Sequence, residues 1–579
     1  MERTSVANVL VIGSGAAGLS AAIAAHRAGK EVLVIGKRAN RDAHTTLAAG
    51  GINAVLGTRD PEDTWQQHFV DTFRESYLLA DPRVVELMVT EAPARIEELV
   101  EWGCPFATTE DGRVDQRYFG AHRYRRTCYA GDYTGRAILN TLADKIDELR
   151  IPVVDEQYVT SLLVDDSICF GALAFDQKSG DVTAFMADAV VLATGGHTRV
   201  WRRSSSRRDE NNGDGLFLAL RAGCALADME MVQFHPTGMV APEDMAGTLV
   251  TEAVRGEGGH LLNSEGERFM ERYDSDRMEL STRDRVALAN YTEIIEGRGG
   301  PNGGVFLDVT HLGKDLILEK LPRMYRQFVE HQMLDISTQP MEVAPTAHYS
   351  MGGVVVEPET HATEVAGLYA AGEVCAGLHG ANRLGGNSLS ETLVFGKRAG
   401  EAAARHSSES QSQVRSRVAL EAAVDDLRSF LHSGDEIVRP VQRALRNAMW
   451  ENCGVLRSKD GLEEGLRAVE DIRATLPALD VRPTSEGYGD LAHAMDLRAS
   501  LLAGEASLRG ALEREETRGA HYRSDFRELH PEFELNIQVR LAADGSLAIG
   551  RESVPPVRSE LQKWLDEAEE VEVKGRLLE

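Results

Sequence analysis

The chain has 579 residues, 42% of them hydrophobic and 27% charged, a composition that suits roughly two to four ordinary globular domains with sizeable cores. Its formal net charge of −28 argues against a nucleic-acid partner, which would call for a basic face. The cysteines Cys104, Cys128, Cys169, Cys224, Cys375 and Cys453 lie far apart without a C-x-x-C pair. A disulfide framework, an iron–sulfur cluster or a metal held by this chain alone is therefore not expected.

From Ser5 to Ala25 there is no charged residue, so a membrane span or signal peptide is the first reading to weigh. Gly13, Gly15 and Gly18 interrupt that run, and no basic stretch precedes it. "ANVLVIGSGAAGLSAAIAAHRAGKEVLVIGK" reads instead as strand, glycine turn, helix and strand, with "VLVIG" and "EVLVIG" as buried parallel strands. No transmembrane helix is expected. The turn G-S-G-A-A-G fits G-x-G-x-x-G in the context that a dinucleotide site requires. Its glycines permit a tight turn and close approach of a pyrophosphate, and the helix from Ala16 would turn its positive end to the phosphates. Where an acidic residue normally closes the second strand stand Gly36 and Lys37, which leaves the adenosine-ribose contacts open.

Next comes "RDAHTTLAAGGINAVLG", loop-like, with His44 near its start. On the residues alone His44 is a solvated loop histidine, a metal ligand, a general base or an attachment point for a cofactor. "DAVVLATGG" at 188–196 and "GLYAAGEV" at 367–374 are further apolar strands ending in small residues. A sheet built from both ends of the chain implies an insertion, placed at 238–340 by its polar, charged and Gly/Pro-bearing segments. After about residue 403, "RHSSESQSQVRSR" reads as a hydrophilic linker. Residues 415–515 carry Leu, Ala, Arg and Glu at helical spacing and read as a helical domain. Residues 516–579 form a mixed C-terminal domain, with strand-like "FELNIQVRLAADGSLAIG" and a charged terminal helix. The expected architecture is α/β: a Rossmann-like nucleotide domain (1–237 and 341–405) with an inserted α+β cap, then the helical and C-terminal domains.

"QFHPTG", "LVTEAVRGEGG", "STRDRV", "PTAHYSMGGV" and "HGANRLGGNSLSETLVFGKRAG" place His235, Arg255, Arg283, His348 and Arg383 in turn-prone segments. Each alone reads as a satisfied histidine or a surface ion pair. Together they look like the lining of a site for a small dianion, since arginine holds carboxylates bidentately and histidine can donate to a second one.

With these motifs the sequence resembles the flavoprotein subunit of succinate dehydrogenase/fumarate reductase, in the group that also contains L-aspartate oxidase. The resemblance runs from residue 7 to about 530. It implies FAD as the cofactor, with the pyrophosphate cradled by Gly13, Gly15 and Gly18 and a further cofactor contact at Ala16. It also implies FAD contacts at Lys37, Thr45, Gly50, Gly51, Ala193, Thr194, Gly195, Asp214, Glu373, Ser388 and Leu389. In respiratory members of the family, H-T ahead of a small-residue segment and G-G carries the histidine bonded to the flavin's 8α-methyl group. His44 matches that position, so the resemblance implies covalent FAD and a raised flavin potential; aspartate oxidases lack this histidine.

In the same reading Phe119 and Gly51 line the substrate site, and Phe119 stands where aspartate oxidases place a glutamate for the substrate's ammonium. An apolar ring cannot pair with that group, and "NRLGGNSL" points the same way, to succinate or fumarate. His235, Thr251, His348 and Arg383 would hold the two carboxylates while hydride passes between a substrate carbon and flavin N5. Arg283 would handle the proton, relayed through Glu252 and Arg255. Arginine is a poor base in water, with a pKa above about 12, so this role requires a dry site and neighbouring cations; a pure electrostatic clamp is the alternative for Arg283. The expected enzyme is a succinate dehydrogenase flavoprotein that passes electrons to an iron–sulfur subunit, docked through membrane-anchor subunits on the cytoplasmic face of the cell membrane. Fumarate reduction, aspartate oxidation, a fumarate reductase fed by thiols or a fused flavin domain, and a flavin-binding module without turnover are the alternatives. The short "APEDM" segment before Thr251 is an addition to the family pattern, so a different loop geometry is expected there.

Overall fold

A computed structural model describes residues 3–410 and 415–578. Strand β1 (Arg3–Ile12) is exposed at its start and buried from Val9 to Ile12. Helix α1 (Ala16–Arg27) and strand β2 (Val32–Ile35) follow, and β2 is buried at all four positions. The pairing is parallel, with Val9 opposite Val32. On its other side β1 pairs in parallel with β3 (Val182–Leu192). Beyond β3 the sheet continues antiparallel through Ile168–Asp176 and Gln157–Asp165. The late strand Leu368–Ala370 also joins β3 in parallel, so both ends of the nucleotide domain share one sheet. Apolar residues on both faces of these strands explain why they sit in the middle: each fully buried Val or Ile contributes about 1.5–3 kcal/mol.

The chain leaves this domain along β4 (Val232–Met239) and returns along β5 (Met341–Ser350), which pair antiparallel with His235 opposite Thr346. Between them lies a region with its own apolar core, from Met239 to Val343. It includes strands His260–Leu262 and Val305–Asp308 and helix α2 (Arg283–Glu293). A segment that departs and returns on neighbouring strands needs no crossing connection and can fold over the sheet's edge as one unit.

Helix α3 (Asn387–Glu409) packs against α1. The stretch expected to be a linker after residue 403 is helical through Glu409, because Ala402, Ala403 and Ala404 are buried against the nucleotide domain. Residues 411–414, within that stretch, lie outside the described residues. The region expected to be helical holds Arg417–Ser429, Val438–Asn452, Lys459–Ala474 and α4 (Gly489–Glu513). It shares a core with the nucleotide domain, where buried Trp201 meets Phe234, and Phe234 meets Trp450. The strand-like C-terminal sequence forms the hairpin Leu535–Leu541 and Leu547–Ser553, followed by helix Ser559–Leu578. All six cysteines are free and buried.

Candidate active site

A cleft of about 1810 Å³, partly open to solvent, runs from the end of β1 to the start of the inserted region. At one end Gly13 has φ +117°, and a Cβ there would lie 2.1 Å from the carbonyl oxygen of Ala193. Only glycine fits where β1 turns beside the end of β3. Helix α1 then begins after Gly15, which has no side chain to cap it, and carries no acidic residue in its first turn; the Thr45 hydroxyl accepts from the Ala16 N–H at 3.1 Å, and the positive end of the helix dipole faces the cleft. Of the expected cofactor residues, Gly13, Gly15, Ala16, Lys37, His44, Thr45, Gly50, Gly51, Ala193, Thr194, Gly195, Asp214, Glu373, Ser388 and Leu389 all line this cleft. Gly18 does not; it lies against the Gly13 carbonyl, where it lets α1 approach the turn.

Lys37 bonds Asp496 of α4 at 2.6 Å and lies 3.8 Å from Asp214, with the Tyr158 ring 4.7 Å from its ammonium. Burial opposes its charge, but Asp496 and Asp214 outweigh it and hold the Lys37 pKa above the usual value. His44 lies in a short 3₁₀ turn with Nδ1 3.2 Å from Glu210.

At the other end the residues expected to bind substrate come from four separate places. β4 supplies His235 and β5 supplies His348, whose rings meet edge to face at 5.4 Å. Arg283 opens α2, where the helix dipole adds to its positive charge. Arg383 precedes α3, with its guanidinium 4.2 Å from the Tyr349 ring. Arg283 donates from Nε to Glu252 at 2.9 Å and from Nη1 to the Gln233 side-chain oxygen at 3.2 Å. Arg383 donates to the same Gln233 oxygen at 2.9 Å and to Ser388 at 3.0 Å. Thr251 lines the cleft ahead of the short helix Ala253–Gly256, and the "APEDM" segment holds a 3₁₀ turn, Glu243–Met245. Phe119 faces Arg283 at 5.6 Å and sits so close to Gly50 and Gly385 that a Cβ on either would clash with its ring.

Arg255 does not reach the cleft. It is buried behind Glu252, with Nη2 3.8 Å from that carboxylate, and bonds the Glu279 carbonyl at 2.5 Å. Burial works against ionising Glu252, but Arg283 and Arg255 overcome this and hold its pKa at about 2. Burial lowers the pKa of His235 and His348 well below the usual histidine value, and the nearby arginines push in the same direction. Both rings are therefore neutral near pH 7. Burial, then Arg283, bring Arg383 down to about 10, still charged.

Comparison with known proteins shows the family of the chain. The FAD binding domain model matches residues 8–389, and the fumarate reductase flavoprotein C-terminal model matches 442–553. One chain of the CoM/CoB fumarate reductase of Methanothermobacter marburgensis is 45% identical over 532 residues, covering 92% of this protein and 96% of that one. The succinate dehydrogenase flavoprotein subunit of Rickettsia bellii is 36% identical, covering 90% of each chain. The solved structure of E. coli quinol fumarate reductase FrdA superposes with a TM-score of 0.90 at 33% identity, covering 96% of this chain and 98% of that one. The chain belongs to the succinate dehydrogenase/fumarate reductase flavoprotein family.

Membership makes it an FAD-dependent oxidoreductase, and the cleft fits that cofactor on its own terms. The Gly13 and Gly18 positions leave no room for a side chain, and the buried Thr194 hydroxyl at the cradle's edge has no hydrogen-bond partner among the described residues. Among the described residues no cluster of three His, Cys, Asp or Glu could hold a metal ion, and no helix is long and apolar enough to cross a membrane.

Sequence reading passed over several groups at this site. Gln233 is two residues before His235 on β4, and that spacing alone puts both on one face of the strand. Tyr349 and Ser205 contact Arg383 and His348 respectively. Asp496 lies 459 residues from Lys37, and nothing in the local sequence joins them. Glu210 carries no motif signal.

Proposed function

We propose that the protein interconverts succinate and fumarate as the flavoprotein subunit of a larger complex, with His44 as the covalent FAD tether. The observation that carries the reading is the charge at the substrate end. The guanidinium groups of Arg283 and Arg383 both line the cleft; Arg283 is bonded to one carboxylate, Glu252, while Arg383 is held by Gln233 and Ser388 and has Glu373 and Glu391 only as more distant charges, so its guanidinium is left for a substrate carboxylate. Arg383, Thr251, His235 and His348 bind and orient the two carboxylates. Ser205 lies 2.8 Å from His348 Nδ1. With the hydroxyl donating to Nδ1, the neutral ring keeps its hydrogen on Nε2 and can donate it to a carboxylate.

Gly13, Gly15, Ala16 and Thr194 hold the cofactor's phosphates, and Lys37, Asp214, Glu373, Ser388 and Leu389 its remaining polar groups. Bound FAD supplies a two-electron acceptor and donor. Arg283 moves the proton at Nη2, because its Nε is engaged by Glu252 and its Nη1 by Gln233. Glu252 and Arg255 behind it form the path by which that proton is exchanged. The inserted segment 238–340 closes over the substrate and keeps water out.

Electrons pass to an iron–sulfur subunit, and membrane-anchor subunits hold the assembly at the cytoplasmic face of the membrane. Named relatives on both sides of the reaction support the substrate pair. The 45% identity with a CoM/CoB fumarate reductase subunit favours, as a second reading, net fumarate reduction with a thiol-type donor. Steady-state assays with a viologen or dye carrier test the proposal. Fumarate is reduced and succinate oxidised, malonate competes with both, and L-aspartate is not oxidised. Aspartate turnover comparable with that of succinate would overturn the substrate assignment.

A further inference from the structure

We propose that Glu210 is a positioning residue for the flavin tether: it takes the Nδ1 hydrogen of His44 and thereby presents a bare Nε2 to the cleft. This rests on the reading of His44 as the attachment point and adds the residue that prepares it.

The geometry fixes the ring from behind. Nδ1 of His44 is 3.2 Å from one carboxylate oxygen of Glu210, whose side chain is buried. The other oxygen accepts from Arg207 Nη1 at 3.0 Å and lies 3.6 Å from Arg38 Nε. Arg207 also donates to the Asp42 carbonyl at 2.7 Å and to the Thr46 hydroxyl at 3.2 Å. The guanidinium therefore pins the carboxylate to the backbone turn that carries His44, and the relative position of the two is set before any ligand binds.

The charge state then decides the tautomer. Burial opposes ionisation of Glu210, but His44, Arg207 and Arg38 together hold its pKa at about 2. An ionised carboxylate only accepts hydrogen bonds, so Nδ1 must donate; the same contact raises the His44 pKa against the effect of burial, and Nε2 is bare in the neutral form of the ring. A hydroxyl, as at His348, would leave the choice open. Nε2 of His44 has no protein hydrogen-bond partner among the described residues, and the residue lines the cleft. A carboxylate behind an imidazole also makes the far nitrogen more basic. Glu210 could instead serve only to neutralise Arg38 and Arg207, and the experiment below separates the two roles.

When the bond from Nε2 to the methyl carbon forms, the Nδ1 proton and one methyl proton are released and two electrons remain on the cofactor. Fumarate, the oxidant of the proposed reaction, takes those two electrons and two protons and becomes succinate. The hydrogen on Nδ1 thus leaves directly toward Glu210.

Holoprotein of wild type, Glu210→Leu, Glu210→Gln and His44→Ser tests the proposal by flavin content before and after acid precipitation. Total FAD should stay within about two-fold of wild type in all variants. The tethered fraction should fall about ten-fold or more in Glu210→Leu, the size typical of losing a partner behind a histidine ligand. It should be partly restored in Glu210→Gln, whose amide oxygen still accepts from Nδ1, and be absent in His44→Ser. Full tethering in Glu210→Leu overturns the role. If that variant fails to retain FAD, Glu210→Gln decides: tethering below wild type at equal FAD content upholds the role, and tethering equal to wild type overturns it. If acid frees all flavin from wild type, the tether reading fails by itself, and ¹⁵N-histidine spectra of that holoprotein decide on Glu210. Hydrogen on His44 Nδ1 that is lost in Glu210→Leu upholds the positioning role; hydrogen on Nε2 in wild type overturns it.

Discussion

At the cradle end of the cleft Lys37 meets Asp496 and Asp214, and Arg38 bonds Asp42 and Asp209, so the cations there have carboxylate partners within the chain. At the substrate end Arg283 and Arg255 share Glu252, while Arg383 is held by two neutral oxygens, those of Gln233 and Ser388. The first end is electrostatically finished and relies on backbone shape to receive a ligand. The second leaves the buried Arg383 without a bonded carboxylate, which is costly until an anion arrives. On the proposed function, the protein uses preformed shape for its resident cofactor and an arginine without a bonded carboxylate for the molecule that must come and go.

The sharpest way to break this comparison is Arg283→Lys. The charge survives, but the planar fork does not, and Glu252 and Gln233 cannot both be met as before. Turnover should fall at least about 100-fold, the lower end of general acid–base contributions, with malonate affinity largely kept. Near-normal kcat with weak malonate binding would make Arg283 a clamp and leave the proton without a donor.

A smaller effect is expected from Gln233→Leu. Its side-chain oxygen accepts from both Arg283 and Arg383, so the variant leaves two buried N–H groups unpaired, at about 1–3 kcal/mol each. The value of kcat/KM should drop about ten-fold or more for succinate and for fumarate alike. Flavin content should not change, because the cradle end is untouched. A loss confined to flavin content would show that the two ends are not separate.

These two residues also show what was and was not legible in the sequence. The cradle was readable because a run of six residues, Gly13 to Gly18, codes for one turn, and the strands around it are apolar on both faces. The fold followed from the same local signals, with one error where the buried alanines Ala402 to Ala404 carry the helix through a polar stretch. The substrate end is assembled from β4, β5, α2 and the turn before α3, so the arginines and histidines had no shared local pattern. Resemblance to a family grouped them; spacing alone did not. Gln233 and Glu210 were missed because a neutral or solitary side chain acquires its role only from the arginine or histidine that folding brings beside it.

The smallest effect concerns pH. Burial and neighbouring arginines keep His235 and His348 neutral well below the usual histidine range. A lowered histidine pKa means the neutral form persists on acidification, so malonate affinity should show no bend near pH 6.5 (about the unperturbed value). An inflection there that vanishes in His348→Gln would mean that the ring is charged and that the substrate end holds more positive charge than the arginines supply.

The central claim, that the substrate end is an unbalanced cationic site built for two carboxylates, is tested most directly by titrating the holoprotein with malonate and with propionate, following the flavin absorbance. Losing one carboxylate removes charge-assisted hydrogen bonds of about 1.5–3 kcal/mol each, so malonate should bind at least about ten-fold more tightly than propionate. Equal affinity for the two acids would contradict the account.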